Sequence, residues 1–354
     1  MVATSTVTIC FVVWGEAFTR LLLDYALPSL LAPGNLPAFA ADRNVEILMI
    51  TTGSDRRMIE DSPVHDAARR HVAVQFLEFA SEPIPLDPPE RKFKLMNILH
   101  QQMVTYARLR DAGIVMLTPD IVIADGALGR LARSIAAGKR VFMSHAPSVD
   151  LVRFGPLLDA WCAAHGTGGE VLAVPPRPLM NMAARCWHPV TLCYMHDSTT
   201  FNRFTSFMYW RLGEHGLLCR AFHLGPVYFY PENWAPELLA DHSRTIDQIY
   251  IGEACPDPES YDLCGDSDEF LYVELSPPDK RYPVPSFSLA NAIDVALFAV
   301  TQLQPMNMRF FAHKLWLHDG VDRAARAGAE RLSDEFVDQV FKKIRQLEAS
   351  RRQP

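Results

Sequence analysis

Four settings in this sequence place ionisable side chains where they could do chemistry. Asp120 closes the run Ile114-Val-Met-Leu-Thr-Pro-Asp120, an apolar stretch bounded by Thr-Pro that reads as a buried strand of an α/β sheet. In open parallel sheets ligands bind outside the carboxyl ends of the strands, so an acid there can meet a ligand while a rigid element holds it. The other reading is a turn: Asp120 starts one after Pro119 and Asp125-Gly126 makes the next. Asp197, in His196-Asp197-Ser-Thr-Thr-Phe201, has the character of a helix N-cap. His223 falls inside an expected strand, either as a core histidine or as a ligand. Asp266-Ser-Asp268-Glu269 is an acidic cluster entering an expected strand, either as a plain turn or as a source of a site carboxylate.

Those side chains need a scaffold, and composition supplies its limits. With 354 residues, 49% apolar and 21% charged, the chain can bury a large core. Its net charge of -7 argues against a general nucleic-acid or anionic-membrane surface, since both require clustered cations. Local basic pockets and a peripheral membrane contact stay open. The seven cysteines are odd in number and scattered without CxxC spacing, which favours reduced thiols in a cytoplasmic protein over a disulfide frame or zinc site. No basic n-region precedes the apolar start and no run of 18 apolar residues occurs, so neither a signal peptide nor a spanning helix is expected.

The elements follow from periodicity. Thr6 to Trp14 is an apolar, β-branched and aromatic run, a buried first strand ended by Gly15, and the helical pattern from Glu16 stops near Pro33-Gly34. Val45 to Thr51 and Val72 to Phe79 are further strands. Pro83 to Pro89 is a loop, and Glu90 to Arg110 a crossover helix with Leu95, Leu99, Met103, Tyr106 and Leu109 on one face. Ala127 to Ala137 reads as helix, Arg140 to Ser144 as strand, Leu151 to Ala164 as helix, Thr199 to Gly213 as helix, and Leu217 to Tyr230 as one strand carrying His223. Strand and helix alternating in this way require a mostly parallel, Rossmann-like sheet with flanking helices. The first turn, Trp14-Gly15-Glu16-Ala17-Phe18, has neither GxGxxG nor GxxxxGK[ST], which disfavours an ordinary dinucleotide site and a P-loop.

Over residues 6 to 230, the order of elements, the strand ending Leu-Thr-Pro-Asp120-Ile-Val-Ile-Ala-Asp125-Gly, the acid before a helix and the histidine on a late strand resemble a nucleotide-diphospho-sugar glycosyltransferase of the GT-A fold. In that family a DxD motif at this strand end binds manganese or magnesium across the donor's phosphates. Thr118 stands in the place of the first acid and Asp120 matches the second, a degenerate form of the motif. The resemblance implies Asp120 and His223 as metal ligands and Asp197 as the general base of an inverting enzyme. It places Trp14, Glu16 and Asp55 beside the nucleotide's base and ribose.

Expulsion of a nucleoside diphosphate builds negative charge, which Mg2+ or Mn2+ neutralises. With Thr118 replacing an acid, Lys92, Lys94 or Arg91 of the preceding helix could share that task, or could simply form a solvated face. The implied partners are a nucleotide-sugar donor and a glycan, lipid or protein acceptor. Two other readings stand beside a transferase. One is a nucleotidyltransferase, which would want a Gly-rich, lysine-bearing first turn. The other is a degenerate domain that binds without turnover.

Residues 1–235 are expected to form the catalytic domain, 236–288 an acidic loop and strand extension, and 289–354 a helical region. Asp266-Ser-Asp268 is a literal DxD that comes too late for the family's metal position, although Asp268 or Glu269 could supply a catalytic carboxylate. Residues 289–318 and 330–350 read as helical. The last helix carries Leu332, Phe336, Val340, Ile344 and Leu347 at helical spacing and ends in Arg351-Arg352, for core packing, subunit pairing or a membrane surface.

Overall fold

The computed structural model describes residues 6–80, 89–234, 245–279 and 289–351. All of the expected Pro83–Pro89 loop but Pro89, together with Arg352 and parts of the expected 236–288 extension, lies outside them. The chain divides into two units: Met1–Ser144 with Asp159–Pro175 and Gly225–Leu263, and His145–Leu158 with Pro176–Leu224 and Cys264–Pro354.

The first unit is built on a seven-stranded sheet of order β11-β6-β10-β4-β1-β2-β3. Its strands are β1 (Thr6–Val12), β2 (Asn44–Thr51), β3 (Ala73–Glu78), β4 (Gly113–Leu117), β6 (Val141–Ser144), β10 (Gly225–Phe229) and β11 (Tyr261–Leu263). β1 pairs in parallel with β2 and with β4, and β2 with β3, while β10 runs antiparallel between β4 and β6. The mostly parallel α/β sheet expected from sequence is therefore present. β1 is central and shielded on both faces, so Val7, Ile9 and Phe11 on one face and Cys10 on the other are all buried. Helices α1 (Glu16–Leu21), α2 (Gly53–Glu60), α3 (Pro89–Arg108) and α4 (Ala127–Ala136) follow β1, β2, β3 and the short β5 (Ile121–Ile123). On α3 the buried face is Leu99, Met103 and Tyr106, whereas Leu109 falls beyond the helix and is exposed.

From β1 the chain moves one way to β2 and β3, then returns to place β4 on the other side of β1. Such a reversal opens a crevice at the carboxyl ends of the central strands.

In the second unit, β8 (Phe207–Arg211), β9 (Gly216–Ala221) and β13 (Leu315–His318) form an antiparallel sheet, and β7 (Ser148–Asp150) pairs in parallel with β12 (Tyr272–Ser276). Its helices include α5 (Leu151–His165, whose second half belongs to the first unit), α6 (Pro176–Ala184), α7 (Ala292–Gln302), α8 (Pro305–Ala312) and α9 (Arg323–Arg351). α9 buries Phe336, Val337, Val340 and Ile344 against Met208, Trp210, Leu218 and Phe222, while Leu332 is 44% exposed. Among the described residues no helix is long and apolar enough to cross a membrane.

Three expectations change here. Thr199–Gly213 is a turn followed by β8, because Phe207, Tyr209 and Trp210 pair along β9 and aromatic side chains fit a pleated surface. Leu217–Tyr230 is two strands in different sheets, with His223 in the bend between them. Leu315–His318, expected as helix, is a strand paired with β9.

Candidate functional site

The carboxyl ends of β1 and β2 open into a cleft of about 470 Å³ lined by Trp14, Gly15, Glu16, Thr52, Ser54, Asp55 and Met58. The chain builds it from two helix starts. Gly15 precedes α1 at φ 84°, a conformation that L side chains rarely adopt. Thr52 caps α2, its hydroxyl accepting the Asp55 N–H at 3.2 Å. The Asp55 carboxylate is buried and accepts three bonds, from Gly15 N at 2.9 Å, Thr52 Oγ1 at 2.6 Å and Thr19 Oγ1 at 3.1 Å. Asp55 therefore fixes the cleft's shape from behind. Trp14 is half-buried, edge-on to Phe79 with ring centroids 6.1 Å apart. Glu16 is exposed and paired with Arg20 at 2.7 Å.

Lys92 of α3 holds its ammonium 4.9 Å from the centroid of Phe18, on the first turn of α1. Arg91 and Lys94 are exposed. Met58 also lines a second cleft of about 570 Å³ with Arg20, Leu23, Asp24, Val64 and Glu170, beside the π-helical turn Leu22–Ala26.

Thr118 is exposed and Asp120 half-buried in the bend between β4 and β5. The neighbouring Asp125 does structural work: its Oδ1 accepts the Gly34 N–H at 2.7 Å, and a Cβ at Gly34 would meet that oxygen at the same distance.

The second unit carries the other expected residues. Asp197 is not an N-cap. It lies in a turn before β8 and accepts a bond from Arg211 Nε at 3.0 Å, an exposed pair. His196 stacks on Trp210 with centroids 5.4 Å apart, and burial lowers its pKa. His223 is half-buried, and Glu269 exposed.

Asp266, Asp268 and His318 bring one ligand atom each within 4.8 Å of one another, the metal-capable group among the described residues. It contains neither Asp120 nor His223. Two carboxylates and an imidazole suit a hard or borderline divalent cation. These donors already have partners. Arg177 of α6 donates to Asp268 from Nε at 3.0 Å and Nη2 at 2.7 Å, and His318 Nε2 lies 3.1 Å from Asp266 Oδ1. Gly320 N donates to His318 Nδ1 at 3.2 Å, so Nε2 carries the ring proton and must lose it, with that backbone bond, before it ligates a metal. Burial pushes the Asp266 carboxyl up, but bonds from His318 and the Asp268 N–H and the nearby Arg326 outweigh it and lower its pKa. Asp319 completes the surroundings, accepting from Asn181 Nδ2 at 2.5 Å and lying 2.9 Å from His215 Nδ1.

Sequence reasoning missed His318, Arg177 and Asp319. The available signal was Leu315-Trp-Leu-His318-Asp-Gly320, an apolar run ended by a polar turn, the same pattern that marked Asp120.

No family model matches the sequence, and no curated protein matches it. Among solved structures, mouse xyloside xylosyltransferase 1 in its apo form is similar over 44% of this chain, with 9% identity and a TM-score of 0.27. The match spans 58% of that protein's chain. At this level the similarity carries no argument about activity.

Proposed function

We propose that this chain is a glycosyltransferase that takes a sugar from a nucleotide-diphospho-sugar donor and passes it to a hydroxyl acceptor. The observation that supports the reading is the cleft at the carboxyl edge of β1 and β2, where Trp14 offers an aromatic face and Glu16 a carboxylate rim. A nucleoside suits such a cleft: its base can stack on an indole, and its ribose hydroxyls can donate to a carboxylate. Lys92, over Phe18 of the adjoining helix, adds a cation for phosphate.

The acceptor hydroxyl must lose a proton as it attacks, and Asp197 is the proposed base, with Asp268 and Glu269 as further carboxylates. Asp266, Asp268 and His318 would hold Mg2+ or Mn2+ once Arg177 lets go of Asp268 and the ring proton of His318 moves from Nε2 to Nδ1 in place of the Gly320 bond. An ion bound there supplies positive charge to a phosphate-bearing ligand. Asp120 keeps its proposed place as a ligand-site acid after β4.

The test is a thermal-shift screen of UDP-, GDP-, CMP- and dTDP-sugars with and without manganese. One donor at a hundredfold excess over its dissociation constant should stabilise the protein by about 2.7 kcal/mol. Trp14→Ser should abolish that shift. If no donor shifts the wild type, or if Trp14→Ser binds as well as the wild type, the reading fails. Donor binding with neither transfer nor hydrolysis would favour a binding domain without turnover.

A further inference from the structure

A cavity of about 460 Å³ opens in the first unit where β1, β2 and β3 begin, at the sheet edge opposite the cleft proposed for the donor. Its lining includes Arg43, Glu46, His71 and Arg110, with Val45 and Val72 as apolar wall. Two guanidinium groups thus meet one carboxylate there, on a chain whose net charge is -7.

The two arginines are held alike. Each follows an aromatic residue by four positions, the helical spacing, and lies over that ring: Arg43 Cζ is 4.5 Å from the Phe39 centroid, and Arg110 Cζ is 3.6 Å from that of Tyr106. Both rings are buried, so one face of each guanidinium is shielded from water. A single further contact orients each plane. Arg43 Nη1 donates to Phe39 O at 3.2 Å, and Arg110 Nε lies 3.2 Å from Glu46 Oε1. The Nε and Nη2 of Arg43 and both Nη atoms of Arg110 have no protein partner among the described residues, which leaves them to a ligand.

The acids nearby do not fill that role. Glu46 is 15% exposed and already accepts from Thr8 Oγ1 at 3.0 Å and from Tyr106 OH at 3.2 Å, so it positions Arg110 by its Nε side only. Asp42 and Asp111, next in sequence to the two arginines, are absent from the lining, and Asp111 accepts from Tyr230 OH at 2.7 Å. His71, exposed at the rim, adds a ring N–H donor.

We propose that this cavity binds a phosphate-bearing small molecule, with Arg43 and Arg110 on the phosphate and Val45 and Val72 beside its organic part. Two planar forks suit a phosphate, whose several oxygens can accept from both, whereas one fork is enough for a carboxylate. The volume falls within the range of small-molecule pockets, about 300–1,000 Å³, and leaves room for an organic body next to the phosphate. The site shares no lining residue with the Trp14 cleft, so it stands apart from the transferase reading.

Calorimetry of the full chain with glucose 6-phosphate, inorganic phosphate, glucose and succinate tests this. Glucose 6-phosphate should bind, glucose should not, and the affinity should fall as salt rises. Arg43→Gln should weaken binding at least about tenfold, and Arg43→Lys, which keeps the charge and loses the fork, should recover only part of it. Arg110→Gln should weaken it as strongly. If that variant melts early because Glu46 has lost its cation, Arg43→Gln decides in its place. Binding of neither phosphate by the wild type, or equal binding by a folded Arg43→Gln, overturns the proposal. Tighter binding of succinate overturns the choice of phosphate, and tighter binding of inorganic phosphate overturns the organic part. Donor-induced thermal shifts stay unchanged in Arg43→Gln, which separates this result from the fate of the transferase reading.

Discussion

The Asp55 carboxylate accepts the backbone N–H of Gly15 at 2.9 Å across 40 residues of sequence, and so ties the start of α2 to the end of β1. That bond closes the back of the cleft. Asp55→Ala should cost about 3 kcal/mol in a urea melt, since a buried charged acceptor loses three donors and leaves two hydroxyls and an amide short of partners. Glu16→Gln, exposed at the rim, should leave stability within about 0.5 kcal/mol and weaken donor binding. Equal stability of the two variants would show that Asp55 does not hold the cleft.

Asp197→Asn tests the proposed base. Transfer should fall about 100-fold to 10,000-fold while the donor-induced shift in melting temperature stays. A wild-type rate would leave Asp197 as a partner of Arg211 only and move attention to Asp268 and Glu269.

Arg177 competes with any cation for Asp268. Arg177→Gln should tighten Mn2+ binding up to about fivefold in calorimetry, the worth of an exposed ion pair of about 1 kcal/mol. His318→Ala should remove that binding. Unchanged affinity in both variants would mean that the ion sits elsewhere or does not bind.

His145 is buried, with Nε2 2.5 Å from the Tyr209 hydroxyl, and burial lowers its pKa from 6.5 to about 4. The unfolded chain therefore binds more protons between pH 6.5 and 4, and stability falls as pH drops through that window. At about 1.4 kcal/mol per pKa unit, this group accounts for roughly 3 kcal/mol between pH 7 and 4. Denaturant melts across that range measure the slope, and His145→Gln should flatten it.

Arg220 of β9 is fully buried, and its guanidinium pairs with Asp334 of α9 while also donating to Ala312 O and to Ser333 Oγ at 3.2 Å. Asp334→Ala would strand that charge. Asp334 itself is 47% exposed, so water screens the pair, and with Ala312 O and Ser333 Oγ still accepting from Arg220 the loss should be about 1–2 kcal/mol. Burial pushes the Asp334 carboxyl up, but Lys314 and Arg220 outweigh it and lower its pKa, so the stabilisation holds above the ordinary carboxylate range and is lost as pH falls through the lowered value. Urea melts of the variant should lose this acid-side dependence.

The sequence by itself determined the first unit's parallel strands. Runs such as Thr6 to Val12 and Val45 to Thr51 are mostly apolar over successive positions, which a strand buried on both faces demands over so few residues, and the first is followed by a helical pattern. That Trp14, Glu16 and Asp55 sit at neighbouring strand ends follows from the same alternation, because parallel strands bring their carboxyl ends to one edge. The inward commitment of Asp55 was beyond it, since the Gly15 N–H and Thr19 hydroxyl reach it only in the folded sheet.

Past residue 197 the tertiary structure decided. Phe207-Met-Tyr-Trp satisfies a helix face and a strand alike, and pairing with β9 selects the strand. Leu217 to Tyr230 is one apolar run, but its halves join different sheets, and only their partners separate them. Asp266 and His318 meet across 52 residues because Ser267 N bonds to Trp316 O and Trp316 N to Gly265 O. No local pattern encodes so distant a pairing. It arises when β13 docks on β9 and carries its terminal histidine to the acidic turn.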